Sequence, residues 1–129
     1  MKRPARMLAL SALLAGLLGG FLGTGQAAPA AQLGLRLSYG GALLQGQVRG
    51  APHDALTGVW STVGRARLLR CAPRCVTTAA LPLSGTLMLG SGSAYRVVLG
   101  GKFRPGQRVM LTLRLRSGQT LNAQAVVTR

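Results

Sequence analysis

Between Val109 and Val127 the chain alternates apolar and polar residues with a period of two, and a helix cannot bury such a pattern on one face. Val109, Leu111, Leu113 and Leu115 alternate with Arg108, Met110, Thr112, Arg114 and Arg116. Leu121, Ala123, Ala125 and Val127 then alternate with Thr120, Asn122 and Gln124. Successive strand side chains point to opposite faces, so each run has one aliphatic and one wet face. Both aliphatic faces must lie on the same side of the sheet, because a one-residue slip turns every side chain over. A three-residue loop of Arg116, Ser117 and Gly118 meets that parity, with Gly118 third, where a left-handed residue is needed. The predicted register sets Leu113 opposite Leu121, Leu111 opposite Ala123 and Val109 opposite Ala125. On the other face it sets Arg114 opposite Thr120 and Thr112 opposite Asn122.

A second hairpin is predicted earlier in the chain. Leu33, Leu35, Leu37 and Tyr39 alternate with Gly34, Arg36 and Ser38, and Gly40-Gly41 follows. A two-glycine turn would pair Tyr39 with Ala42, Leu37 with Leu44, Leu35 with Gly46 and Leu33 with Val48. Residues 50–58 read as a loop broken by Pro52, His53 and Asp54, and Asp54 suits a turn or a short helical cap. Val59–Val63, carrying Trp60, and Ala66–Cys71 read as short strands. Between Leu56 and Arg70 neither template fits cleanly, and a short helix is an alternative. In Val76–Leu83, Pro82 marks an edge or an end. Thr86–Leu89 and Tyr95–Leu99 share parity across an odd Gly/Ser loop, Gly90–Ala94, and Arg104-Pro105-Gly106-Gln107 has the type II turn preference.

Seven to eight short antiparallel strands, with turn signals at regular spacing, predict an all-β domain over residues 31–129. An immunoglobulin-like β-sandwich is the expected architecture and a small open barrel the alternative. The chain resembles immunoglobulin-like exported domains in strand count and spacing. It lacks their Cys…Trp…Cys order, since Trp60 precedes both Cys71 and Cys75.

The N-terminus reads as a signal peptide. Lys2, Arg3 and Arg6 precede an apolar run from Met7 to Leu22, and small residues follow, so residues 1–27 are expected to be removed after Ala27 or after Ala30. No second long apolar run occurs, so no transmembrane span is expected after cleavage. The expected location is therefore outside the cytoplasm: periplasm, cell envelope or extracellular space. The full chain has 16 basic residues and one acid. Three of the basic residues lie in the leader, which leaves thirteen against Asp54 alone. A domain so charged attracts polyanions. Candidate partners are an anionic envelope polymer, lipid headgroups or a protein. The abundance of arginine over lysine is also what a GC-rich composition produces. Specific nucleic-acid recognition is not expected, because few aromatics interleave with the basic residues. No feature specifies an oligomeric state.

Export makes a disulfide between Cys71 and Cys75 the expected state. Pro73 between them disfavours the usual three-residue hairpin loop. A Cys-x-x-x-Cys pair with one histidine also resembles the ligand set of copper-delivery proteins and copper electron-transfer domains. In that alternative Cys71, Cys75 and His53 would hold copper, with Met88 or Met110 as a further soft ligand. Arg70 and Arg74 flank the cysteines and would repel a cation. No cofactor is otherwise implied. A single carboxylate side chain excludes paired-carboxylate catalysis and a carboxylate cage for calcium or magnesium. Adjacent residues in extended chain point apart, so His53 and Asp54 do not make a catalytic pair. The sequence therefore predicts a non-catalytic, exported binding or accessory domain of the cell envelope, with copper binding as the alternative. Its candidate anion site is the wet face of the last hairpin, led by Arg108, Arg114 and Arg116.

Overall fold

The computed structural model describes residues 28–129, and the predicted signal peptide lies outside the described residues. Eleven strands follow in chain order. They are β1 (Ala30–Ser38), β2 (Gly41–Arg49), β3 (Ala55–Ser61), β4 (Gly64–Arg65), β5 (Arg67–Cys71) and β6 (Cys75–Thr77), then β7 (Leu81–Pro82), β8 (Thr86–Leu89), β9 (Tyr95–Gly100), β10 (Arg108–Leu115) and β11 (Thr120–Thr128). No helix occurs among the described residues, so the segment from Leu56 to Arg70 is strand and turn. Hydrogen bonds join the strands in the order β4-β3-β10-β11-β1-β2-β9-β5-β6, with β7 added to β3 and β8 to β2. One continuous path of this kind makes an open half-barrel, which agrees with the all-β expectation and with its small-open-barrel alternative rather than with the immunoglobulin-like sandwich. The β1–β11 pair is parallel, through Leu35 opposite Val127 and Arg36 opposite Thr128. Alternation in the sequence fixes which face a residue takes and carries no information on strand direction.

The concave side is filled with leucine and valine. Leu35, Leu44, Leu56, Leu81, Leu83, Leu87, Leu99, Leu111, Leu113 and Leu115 are all essentially inaccessible to solvent. Each is worth about 1.5–3 kcal/mol relative to exposure. The strict alternation of β10, exposed then buried from Arg108 to Leu115, is the pattern that the sequence predicts. Its register with β11 also matches, from Val109 opposite Ala125 to Arg114 opposite Thr120. Gly118 has φ +97° at the third position of the loop, and its N–H bonds the Leu115 carbonyl at 2.9 Å.

The first hairpin keeps its faces but slips by two residues. Leu37 faces Ala42, Leu35 faces Leu44 and Leu33 faces Gly46. The turn residues are Tyr39 and Gly40, so Tyr39 leaves the predicted core face and is fully exposed. Gly40 takes φ +78° at the second central position, the type II requirement. Gly41 is instead needed within the sheet. A Cβ there would collide with the Leu99 carbonyl of β9, its neighbour across the β2–β9 ladder.

Segments β8 and β9 do not form the hairpin that their parity suggests. Both pair with β2, β8 with its second half and β9 with its first. They form one line along β2, with the Gly90–Ala94 segment looped out between them. That loop is bonded on itself: Ser93 Oγ donates to the Met88 carbonyl at 2.7 Å and accepts from the Tyr95 N–H at 3.0 Å. A hairpin and a looped-out bulge both preserve parity, so parity alone does not separate them. The turn at Arg104–Gln107 forms as predicted, with Gly106 at φ +87° and the Gln107 N–H bonded to the Arg104 carbonyl at 3.0 Å.

Candidate functional site

Arg108, Arg114 and Arg116 are all exposed, as expected of the wet side of the last hairpin. They do not converge. Arg108 and Arg114 are six residues apart on one strand, which is roughly 20 Å at about 3.3 Å per residue. Exposed Met110 and Thr112 lie between them, Val126 sits opposite Arg108, and Arg116 sits in the turn beyond the strand. Thr112 and Asn122 bond each other through Oγ1 and Oδ1 at 3.1 Å. The three arginines therefore line the length of a face and do not form a single anion pocket.

Beside them stands an aromatic feature whose composition the sequence contains and whose assembly it does not show. Trp60 faces Thr112 on one side and Arg65 on the other. Its ring lies over Gly58, where a Cβ would strike the indole. The Arg65 guanidinium carbon is 5.3 Å from the ring centroid, a cation–π contact. Arg114 pairs with Gly58 in the adjacent strand. The Gly58-x-Trp60 spacing puts both residues on one strand face, the one signal of this packing in the sequence.

Asp54 is buried and held by backbone donors. It is 8% exposed, and Oδ1 accepts the Ala55 N–H at 2.9 Å and the Ser117 N–H at 3.0 Å. Burial would raise its pKa. The Ser117 hydroxyl, the Ala55 and Ser117 N–H groups and the nearby Arg116 charge outweigh burial and hold the pKa below the ordinary value. The single acid thus ties the loop before β3 to the β10–β11 turn. All the arginines and lysines among the described residues are exposed except Arg96. No acidic side chain is left at the surface for them.

Cys71 and Cys75 oppose each other at the end of the β5–β6 pair, with Cα atoms 3.7 Å apart and sulfurs at disulfide distance. The Ala72–Pro73 peptide in the link is cis. His53 is exposed in the loop after β2. Among the described residues no group of three His, Cys, Asp or Glu side chains gathers, so His53 does not join the cysteines. Met88 lies beside Gln47 on β2, and Met110 lies beside Gln124 on β11. Four strand spacings separate β8 from β10 along the sheet, about 19 Å at ~4.8 Å each. The two exposed thioethers do not share a site. Of the soft donors among the described residues, only the cysteine sulfurs are adjacent.

An open half-barrel of this topology places the chain among all-β domains. No family model and no curated protein sequence matches it. Solved structures do. The copper-bound PCuAC domain from PmoF2 is 21% identical, with a TM-score of 0.61, over 80% of this chain and 94% of that one. The solution structure of CuI-DR1885 from Deinococcus radiodurans is 21% identical, with a TM-score of 0.59, over 81% of this chain and 78% of that one. The apo PCuAC domain from PmoF1 is 18% identical, with a TM-score of 0.58, over 79% and 94%. The chain shares the fold of these domains.

Proposed function

We propose that this protein is an exported, non-catalytic copper-binding domain. The observation that carries this reading is the fold it shares with the PCuAC domains and with CuI-DR1885, the PmoF2 domain and CuI-DR1885 being copper-bound. The donor inventory supports one particular site. Reduction of the Cys71–Cys75 disulfide by a dithiol, taking up two electrons and two protons, gives two opposed thiols. Their thiolates are suited to Cu(I), a soft ion that prefers sulfur. Cys75 is exposed and Cys71 partly so, which leaves the pair open to an incoming ion. In the disulfide form the chain has no thiolate to offer. Asp54 is committed to backbone N–H groups, so no free carboxylate supports catalysis at the surface.

Anaerobic titration with Cu(I) against a chromophoric competitor tests this. The reduced protein should take up one equivalent and the oxidised protein none. Cys71→Ser and Cys75→Ser should each abolish uptake, while His53→Ala should leave it unchanged. Equal uptake by the serine variants and the reduced wild type would remove the dithiolate site. A second reading rests on the surface charge: binding to an anionic envelope polymer by the face carrying Arg108, Arg114 and Arg116. It should weaken steeply with added salt.

A further inference from the structure

One end of the half-barrel brings together turns that are far apart in sequence. The β1–β2 turn holds Tyr39 and Gly40, and the Gly101 N–H bonds the Gly40 carbonyl at 3.4 Å. A Cβ built on Gly101 would lie 3.7 Å from both Val63 in the β3–β4 turn and Phe103 in the link to β10. Tyr39 is 106% exposed and Val63 57% exposed, so a whole aromatic ring and an isopropyl group stand out from the same end. Phe103 is half-buried beneath them, packed against the core. Between the β3–β4 turn and the end of β9 runs a cleft of about 320 Å³ lined by Val63, Gly64, Arg65, Leu99, Gly100 and Gly101.

Cations surround this apolar tip. Lys102 and Arg104 lie in the link itself and are exposed. Arg36 and Arg67 occupy the next rows of the sheet, opposite Leu43 and Val98, on either side of the β2–β9 pair. The one acidic side chain, Asp54, is bonded to the β10–β11 turn at the other end. Aliphatic and aromatic tips ringed by lysine and arginine, with no acid among them, match a bilayer surface with anionic headgroups. Tyrosine settles at the headgroup level, and cations nearby gain from the surface potential. A protein partner would more commonly meet a concave or flat patch. Here the apolar groups are protruding turn residues. We propose that this end docks on anionic lipid bilayers, with Tyr39 and Val63 entering the headgroup layer and Lys102 and Arg104 meeting phosphates. Copper binding uses other residues, so either reading can fail alone.

Flotation with phosphatidylcholine vesicles, with and without phosphatidylglycerol, tests the docking. The protein should float with the anionic vesicles and not with the neutral ones. Tyr39→Ser with Val63→Ser should cut binding about tenfold, from the loss of two exposed apolar contacts. Lys102→Gln and Arg104→Gln should cost about fivefold each. These side chains are exposed, so the variants keep the wild-type circular dichroism. Arg49→Gln, exposed at the far end of β2 opposite Ala30, should bind within twofold of wild type. Absence of flotation with anionic vesicles, wild-type binding by the Tyr39/Val63 variant, or a greater loss from the far-end variant would each overturn the proposal.

Discussion

Replacing Asp54 by alanine removes one oxygen that accepts two backbone N–H groups, from Ala55 and Ser117. Leaving a buried donor unpaired costs about 1–3 kcal/mol. Ala55 is 2% exposed, so its N–H has no water to turn to and carries the full penalty. Ser117 lies in an exposed turn, where solvent replaces part of the loss. The sum is about 2–4 kcal/mol, a large share of the ~5–15 kcal/mol typical of a domain. Asp54→Asn keeps an amide oxygen where both N–H groups converge and loses only the charge, so it should cost about 1–2 kcal/mol. Urea unfolding at pH 7 should therefore rank wild type, asparagine, then alanine. Acid adds a sharper readout, because the chain has one acidic side chain. Its pKa is lowered on folding, so its contribution is complete above the unfolded value, about 3.9. That contribution is lost as pH falls through this value toward the folded one. The stability gap between wild type and Asp54→Asn should close between about pH 5 and pH 2. A gap that persists unchanged at pH 2, or an alanine variant as stable as wild type, would refute the reasoning.

Gly41→Ala should cost about 1–3 kcal/mol, because its Cβ meets the Leu99 backbone, and hydrogen exchange should show β9 opening first. Gly40→Ala meets nothing within 4 Å and should cost only about 1 kcal/mol, from its positive φ. Cys71→Ser with Cys75→Ser closes no loop and should lower stability by about 2 kcal/mol in urea, relative to the oxidised protein.

Much of the fold can be read from alternation alone. Parity fixed the inward faces of β1, β2, β10 and β11, and the left-handed demand of a three-residue loop fixed the last hairpin residue by residue. The same reasoning missed by two residues at the first hairpin. Two adjacent glycines offered two turns of equal parity, and only the approach of β9 to Gly41 chose between them. Nor does the parity shared by β8 and β9 say which strand lies beside which, and both pair with β2. The candidate sites were legible as residues and not as places. Cys71 and Cys75 are four positions apart and meet across a local turn, so their pairing needed no knowledge of the barrel. Whether His53 joins them, whether Met88 nears Met110 and whether three arginines converge depend on strand order, which no local pattern encodes.

The sequence by itself determined an all-β chain, its buried faces, a local cysteine pair and a surface left positive by the lack of acids. These follow from side-chain period, turn chemistry and counting, all properties of near neighbours. Tertiary structure alone decided the open half-barrel, the parallel β1–β11 pair, the burial of Asp54 against the Ser117 turn and the gathering of Tyr39, Val63 and Phe103 at one end. Those are contacts between segments tens of residues apart, fixed by how the leucine faces close on one another.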